Sequence, residues 1–113
     1  MTTLYGLRNC DTCRKARAWL DGQGLAHRFH DFRGDGLDPA LLQSWADSLG
    51  WETLLNRRGT TWRGLSETDR ADLDAAKALR LMLVHPALIK RPVLSHGDTL
   101  LIGFSPAHYL ENL

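Results

Sequence analysis

The sequence predicts an α/β fold: one domain, residues 1–113, built on a four-stranded mixed sheet with helices packed on it. Three observations carry that expectation. The chain has 113 residues, and about 100–200 residues is usual for a single domain. A 43% apolar content with four tryptophans is enough for a hydrophobic core without a disulfide scaffold. The third observation is the order of the elements: β-α-β, a helical stretch, a β-hairpin and a last helix.

Each element has a local reason. Thr2 to Tyr5 is β-prone and stops at Gly6. Thr12 to Leu20 places Ala16, Trp19 and Leu20 at helical offsets from Thr12, and Gly22 and Gly24 end the run. Ala26 to Phe32 is aromatic and reads as a second strand, with Arg33 to Leu37 a glycine-containing loop. Asp38-Pro39 is a cap followed by proline at the first helical position. Leu41, Leu42, Trp45 and Leu49 then share a face, and Gly50 ends that helix. A short turn through Trp51 and Leu55 leads to a polar loop, Asn56 to Thr61. Ser66 with Asp69 resembles a capping box. Helix is expected from there to Val84, with a break near Asp72 to Asp74 and with Leu79, Met82 and Leu83 on the buried side. His85-Pro86 closes it. Pro92 to Ser95 and Thr99 to Phe104 flank His96-Gly97-Asp98 as a hairpin. Ser105-Pro106 repeats the cap-then-proline signal and opens a last helix to Glu111.

A β-α-β unit requires a parallel pair joined by a crossover, whereas a hairpin is antiparallel. The simplest assembly is the thioredoxin-like arrangement, with residues from about 38 to 90 inserted as helices between its halves.

The formal net charge of +1 argues against an extended nucleic-acid or polybasic membrane surface. No apolar run approaches the ~18 residues of a membrane span, and the N-terminus lacks a basic-then-apolar signal pattern. A cytoplasmic protein is expected, acting as a monomer without nucleic-acid or membrane partners. In that compartment a CxxC is a reactive motif more often than a structural one.

Cys10 and Cys13 are the only cysteines. A strand ending at Tyr5 and a helix starting near Thr12 put Cys10 at the helix N-terminus. First-turn amides there lack internal partners and, with the helix dipole, favour an anion such as a thiolate. Nearby Arg8, Arg14 and Lys15 are candidate cations for the same effect; Asp11 opposes it unless its carboxylate turns to water. Cys13 lies three residues on, on the same helix face. It is either a resolving thiol for a mixed disulfide on Cys10 or an inert core residue. No metal site is expected: zinc needs about four ligands, there is no second CxxC, and His27 and His30 on a strand point to opposite faces.

The segments "TLYGLRNCDTCRKARAWL", "LLNRRGTTWR" and "HPALIKRPVL" resemble, in matching order over nearly the whole chain, the ArsC-like thioredoxin-fold proteins. These include arsenate reductases, Spx transcription regulators and YffB-type proteins. The resemblance is closest to the YffB type, through "NCDT", "FHDFRGDGLD", "GWETLLNRRGTTWR" and "IKRP". It implies that Cys10 is the nucleophile and that Arg91 is one of three arginines that hold the oxyanion and polarise the thiol. A second falls on Asn56, with Arg57 and Arg58 just after it, and a third near Phe104. The histidine after the first-strand tyrosine in many members is Gly6 here. These departures point away from arsenate and leave the thiol chemistry.

The resemblance further implies a cis Arg91-Pro92 peptide beside the thiol, whose backbone pairs with bound glutathione; read from residues alone, Pro92 equally begins an edge strand. Asn56, Arg57, Arg58, Arg91 and Pro92 are thus candidates for glutathione or oxyanion binding, guanidinium giving bidentate geometry to carboxylates. Plain solvation is the other reading of the arginines. Thr60, Thr61 and Trp62 are candidates for lining the same site, although core packing is favoured for Trp62. His85 is expected to cap a helix and His108 to face solvent. The expected activity is a glutathione-dependent thiol reductase related to arsenate reductases, with glutathione as co-substrate, glutaredoxin as a further partner and no bound cofactor. The alternative is an Spx-type redox regulator of RNA polymerase. The CxxC favours that alternative, and the end of the chain at Leu113 weighs against it.

Overall fold

Four strands, β1 (Thr2–Gly6), β2 (Arg28–Asp31), β3 (Val93–His96) and β4 (Thr99–Ile102), form one sheet in the order β2-β1-β3-β4. In this computed structural model, which describes residues 1–113, β1 runs parallel to β2 and antiparallel to β3, and β3 pairs antiparallel with β4. The mixed sheet and thioredoxin-like order are therefore those expected. Sheet and flanking helices belong to one unit, Met1–Gly36 with Arg91–Leu113; Leu37–Lys90 forms another.

Within the first unit, the register explains the core. Leu4 lies opposite Phe29 and Leu94, and Leu94 opposite Leu101. Directly paired residues share a sheet face, so these four side chains make one row. Onto it pack Ala16 and Leu20 of α1 (Asp11–Gly22) and Tyr109 of α7 (Pro106–Asn112). Trp19 and Phe104 meet the Tyr109 ring edge-on, centroids 5.7 and 4.8 Å away. Burying each such leucine contributes about 1.5–3 kcal/mol. Ser105 caps α7 by accepting from the His108 amide. His108 is half-buried against Tyr109 rather than facing solvent.

Several boundaries differ from the expected ones. Gly22 is the last residue of α1, and Gly24, at φ +68°, makes the turn. β2 covers only the middle of Ala26–Phe32. The hairpin turns on Gly97-Asp98 alone, with Gly97 at φ +57°, and β4 ends at Ile102. β3 is an inner strand, so Pro92 does not begin an edge strand.

In the second unit, α2 (Pro39–Leu49) begins at Asp38, whose carboxylate accepts from the Ala40 amide at 2.9 Å. Leu42 and Trp45 are its buried residues, while Leu41 and Leu49 are half-buried. Removing such a cap costs about 1 kcal/mol. Asp38→Ala is accordingly expected to lower the unfolding free energy measured by urea titration by that amount, and Asp38→Asn to retain most of it.

Gly50, at φ +86°, separates α2 from α3 (Trp51–Leu54), which replaces the expected turn. The expected loop from Asn56 to Thr61 is cut short by α4 (Thr60–Arg63). Ser66 does cap α5 (Glu67–Arg70), accepting from the Asp69 amide. The break follows at Asp72, φ +51°, and α6 (Ala75–Val84) starts from Asp74. Lys77 of α6 donates to the carbonyls of Thr68 and Ala71, satisfying groups that the end of α5 leaves open. The buried side of α6 carries Ala78 and Met82; Leu79 and Leu83 are half-buried, because the face is centred one residue from the expected stripe. The His85 amide closes α6 on Leu81, and a 3-10 turn, Pro86–Leu88, follows. Leu55 and Ile89 then form an isolated antiparallel bridge, flanked by Asn56 N–H to Leu88 C=O at 2.7 Å and Lys90 N–H to Leu54 C=O at 2.8 Å.

No helix is long and apolar enough to cross a membrane.

Candidate active site

The site starts where β1 stops. Gly6 ends the strand, Leu7 to Asn9 turn the chain, and Cys10 becomes the N-cap of α1 in an extended conformation, φ −106° and ψ 121°. Its carbonyl accepts the Arg14 amide at 3.0 Å, which places its side chain beside the first turn. The sulfur makes no capping hydrogen bond of ordinary geometry; the first-turn dipoles still act on it. Partial burial pushes the Cys10 thiol pKa up. The Cys13 amide, the Arg91 guanidinium and the Cys13 thiol together outweigh burial and hold it below its ordinary value.

The cation in that balance is Arg91. Arg8 instead faces Asp31 at 3.6 Å, and Arg14 pairs with Asp11. Asp11 is thereby turned to the exposed surface, as its freedom to rotate predicts. The basic residues that flank the motif in sequence are not the cations that tune Cys10. Arg91, some eighty positions away, reaches it because β3 lies beside β1 in the sheet.

Cys13 is only 1% exposed. Burial pushes its thiol up to about 12, the Leu7 amide partly opposes this, and the neighbouring Cys10 charge adds to it. Cys13 is therefore protonated at neutral pH and donates toward the Cys10 sulfur. Such a raised value favours the folded protein below the ordinary thiol range, near 9.0, and that contribution is lost as pH climbs toward 12. Room for this sulfur comes from Gly6: a Cβ there would lie 2.4 Å from the Cys13 Sγ.

The Arg91-Pro92 peptide is cis. The Pro92 ring is buried, and its carbonyl accepts from the Gly103 amide at 2.8 Å. That bond ties the start of β3 to the end of β4.

Asn56, Arg57 and Arg58 belong to the second unit. The Asn56 side-chain oxygen accepts from the Arg58 amide at 3.0 Å, an Asx turn that shapes the loop. The Arg57 guanidinium lies 5.5 Å from the Trp51 ring and 5.9 Å from the Trp62 ring. Trp62 is thus half-buried against a cation rather than part of the core. A pocket of about 340 Å³ is lined by Glu52, Leu55, Asn56, Arg57, Arg58 and Lys90. Thr60, Thr61 and Trp62 do not line it. The structure so brings Cys10, Cys13 and Arg91 together in one unit, and Asn56, Arg57 and Arg58 together in the other. Lys90 and Glu52 were not expected in a pocket. The only signals were their places in quoted motifs, Lys90 in "IKRP" and Glu52 in "GWETLLNRRGTTWR".

A parallel-then-antiparallel four-stranded sheet with a CxxC at the start of its first helix defines a thioredoxin-fold protein of the cysteine type. The chain belongs to the ArsC family, whose model matches residues 5–112. Among solved structures it is similar to a YffB protein, 50% identical, with a TM-score of 0.94 over 98% of this chain and 97% of that one. It is also similar to an arsenate reductase (ArsC) related protein from Brucella melitensis, 47% identical, with a TM-score of 0.80 over 97% and 92% of the two chains. The global transcriptional regulator Spx of Streptococcus mutans is 29% identical over 93% of this chain and 77% of its own length.

Proposed function

We propose that this protein is a glutathione-dependent thiol reductase, related to arsenate reductases, in which Cys10 is the nucleophile. The observation that supports it most is the Cys10 thiol held below its ordinary pKa at the N-cap of α1, beside Arg91. Perturbed thiols of this kind mark reactive rather than structural cysteines.

The Cys10 thiolate attacks one sulfur of a disulfide substrate. A new Cys10–substrate S–S bond forms, the old S–S bond breaks, and the other half leaves as a thiolate. That step removes the charge on Cys10, one of the causes that keeps the Cys13 proton in place. Cys13 then gives up its proton, attacks the Cys10 sulfur and expels the second half of the substrate as a thiolate. Two glutathione thiolates in turn reduce the Cys10–Cys13 disulfide, leaving as glutathione disulfide and supplying both electrons. In the shorter route one glutathione thiolate attacks the Cys10 sulfur of the first mixed disulfide and expels the second half of the substrate as a thiolate. A second attacks the glutathione sulfur now bound to Cys10, freeing the Cys10 thiolate and leaving as glutathione disulfide. Asn56, Arg57, Arg58 and Arg91, the last next to Pro92, are the proposed holders of anionic groups.

The second reading is an Spx-type redox regulator of RNA polymerase. The 29% identity to an Spx protein favours it, and in that reading Cys10–Cys13 is a switch rather than a turnover site.

The test is a pH profile. Alkylation of Cys10, followed in a Cys13→Ser background, is expected to rise with an apparent pKa below that of a free thiol. Arg91→Ala removes a hydrogen bond and a positive charge that both favour the thiolate. Its profile is expected to move to higher pH, so that the rate at pH 7 falls several-fold while the alkaline plateau stays the same. A parent profile like that of an ordinary thiol would sink the enzyme reading.

A further inference from the structure

The pocket of Leu37–Lys90 carries both signs of charge, and little of it is neutralised internally. Arg58, Lys90 and Glu52 line it, and none of the three side chains is in an ion pair or side-chain hydrogen bond. Arg57 is held over Trp51 and Trp62 rather than against a carboxylate. The Asn56 oxygen is spent on the Arg58 amide, so the end of its side chain left for a ligand is the Nδ2 donor. The backbone beneath is fixed, since Asn56 and Lys90 are each pinned by a hydrogen bond of the Leu55–Ile89 bridge. A site of that make-up has a cationic, donor-rich part for a carboxylate and one carboxylate, Glu52, for a cation. Pure oxyanions such as arsenate or phosphate would satisfy the first and be repelled by the second.

We propose that this pocket binds a zwitterionic α-amino-acid head, its carboxylate held by Arg58, Lys90 and the Asn56 amide, its ammonium by Glu52. The inference rests on the glutathione reading for its ligand: glutathione carries one such head, on its γ-glutamyl end. It goes further in naming that end and in adding Lys90 and Glu52 as specificity residues.

S-methylglutathione tests this without thiol chemistry, because its sulfur is blocked and forms no disulfide. In an amide NMR titration of the full chain, it is expected to shift Glu52, Asn56, Arg58 and Lys90. Acetylating its α-amino group is expected to weaken binding about five- to tenfold, as loss of a charge-assisted contact at a partly exposed site does. Glu52→Gln is expected to weaken the parent ligand to a similar degree and the acetylated ligand hardly at all. Lys90→Ala is expected to weaken both. Equal affinity for the two ligands, indifference to Glu52→Gln, or no saturable binding of S-methylglutathione overturns the proposal. The ligand comparison uses the unmodified protein and so does not depend on any variant folding. The Cys10 alkylation profile judges the reductase reading separately, since it involves no ligand for this pocket.

Discussion

Cys10→Ser is expected to abolish thiol–disulfide turnover, with kcat/KM falling by more than about 10³ to the uncatalysed background. A serine hydroxyl ionises far above the range in which the first-turn dipoles and Arg91 can hold an anion. The variant thus keeps the surroundings and loses the nucleophile. Stability should change far less than activity, because Cys10 is partly exposed and only the thiolate's contacts with the Cys13 amide and thiol and with Arg91 are lost. Cys13→Ser separates the two routes to product. If glutathione attacks the first adduct directly, this variant turns over and shows a Cys10 mixed disulfide by mass spectrometry. If Cys13 resolves, the same adduct accumulates and turnover slows. A Cys10→Ser protein that still reduces a disulfide at the parental rate would place the chemistry elsewhere.

Where the sequence predicted the fold well, the signal was local and chemical. Asp38-Pro39, Ser66 and Ser105-Pro106 each open a helix in the structure, because a short oxygen-bearing side chain facing free amides needs no tertiary context. The sense of two strand pairs was legible for a topological reason: a crossover forces a parallel pair and a tight turn forces an antiparallel one, whereas neither places β3 beside β1. Loop-like stretches were harder. Thr60–Arg63 has no apolar periodicity, yet it forms a helical turn. Short turns of this kind depend on neighbours in space, which spacing does not encode. The same limit hid the true buried face of α6, where Ala78 packs and the bulkier Leu79 is left half-buried.

The site divides along the same line. That Cys10 would sit at a helix start followed from the strand and helix on either side of it. Spacing alone pointed to the wrong cations for its pKa, since Arg8, Arg14 and Lys15 are close in sequence and Arg91 is close in space; only the family resemblance pointed to Arg91. Two of the sequence neighbours are engaged by carboxylates, Asp31 and Asp11. The inner position of β3 decides the matter, and it also settles the place of Pro92.

Gly6→Ala is expected to destabilise the protein by about 1–3 kcal/mol, the usual cost of forcing an extra methyl into a packed core. The new Cβ would stand 2.4 Å from the Cys13 Sγ, well inside contact distance, and 3.5 Å from the Cys13 Cβ, an ordinary contact. The sulfur has little room to retreat, because Cys13 is 1% exposed. Gly6 does not have a positive φ, so backbone strain is not the source of the cost, and the substitution should gain slightly from reduced unfolded-state entropy. The decisive measurement is a double-mutant cycle by urea unfolding. In Gly6→Ala with Cys13→Ala the obstructing sulfur is gone, and the pair should be less destabilised than the sum of the singles by about 1–2 kcal/mol. Additive values would show that the clash is relieved some other way. A positive coupling gives a steric reason for glycine at the position where many arsenate reductases carry a histidine: a second thiol fits behind β1 only if residue 6 has no side chain. Gly6 and Cys13 are then one feature, and the CxxC of this chain depends on a strand residue outside the motif.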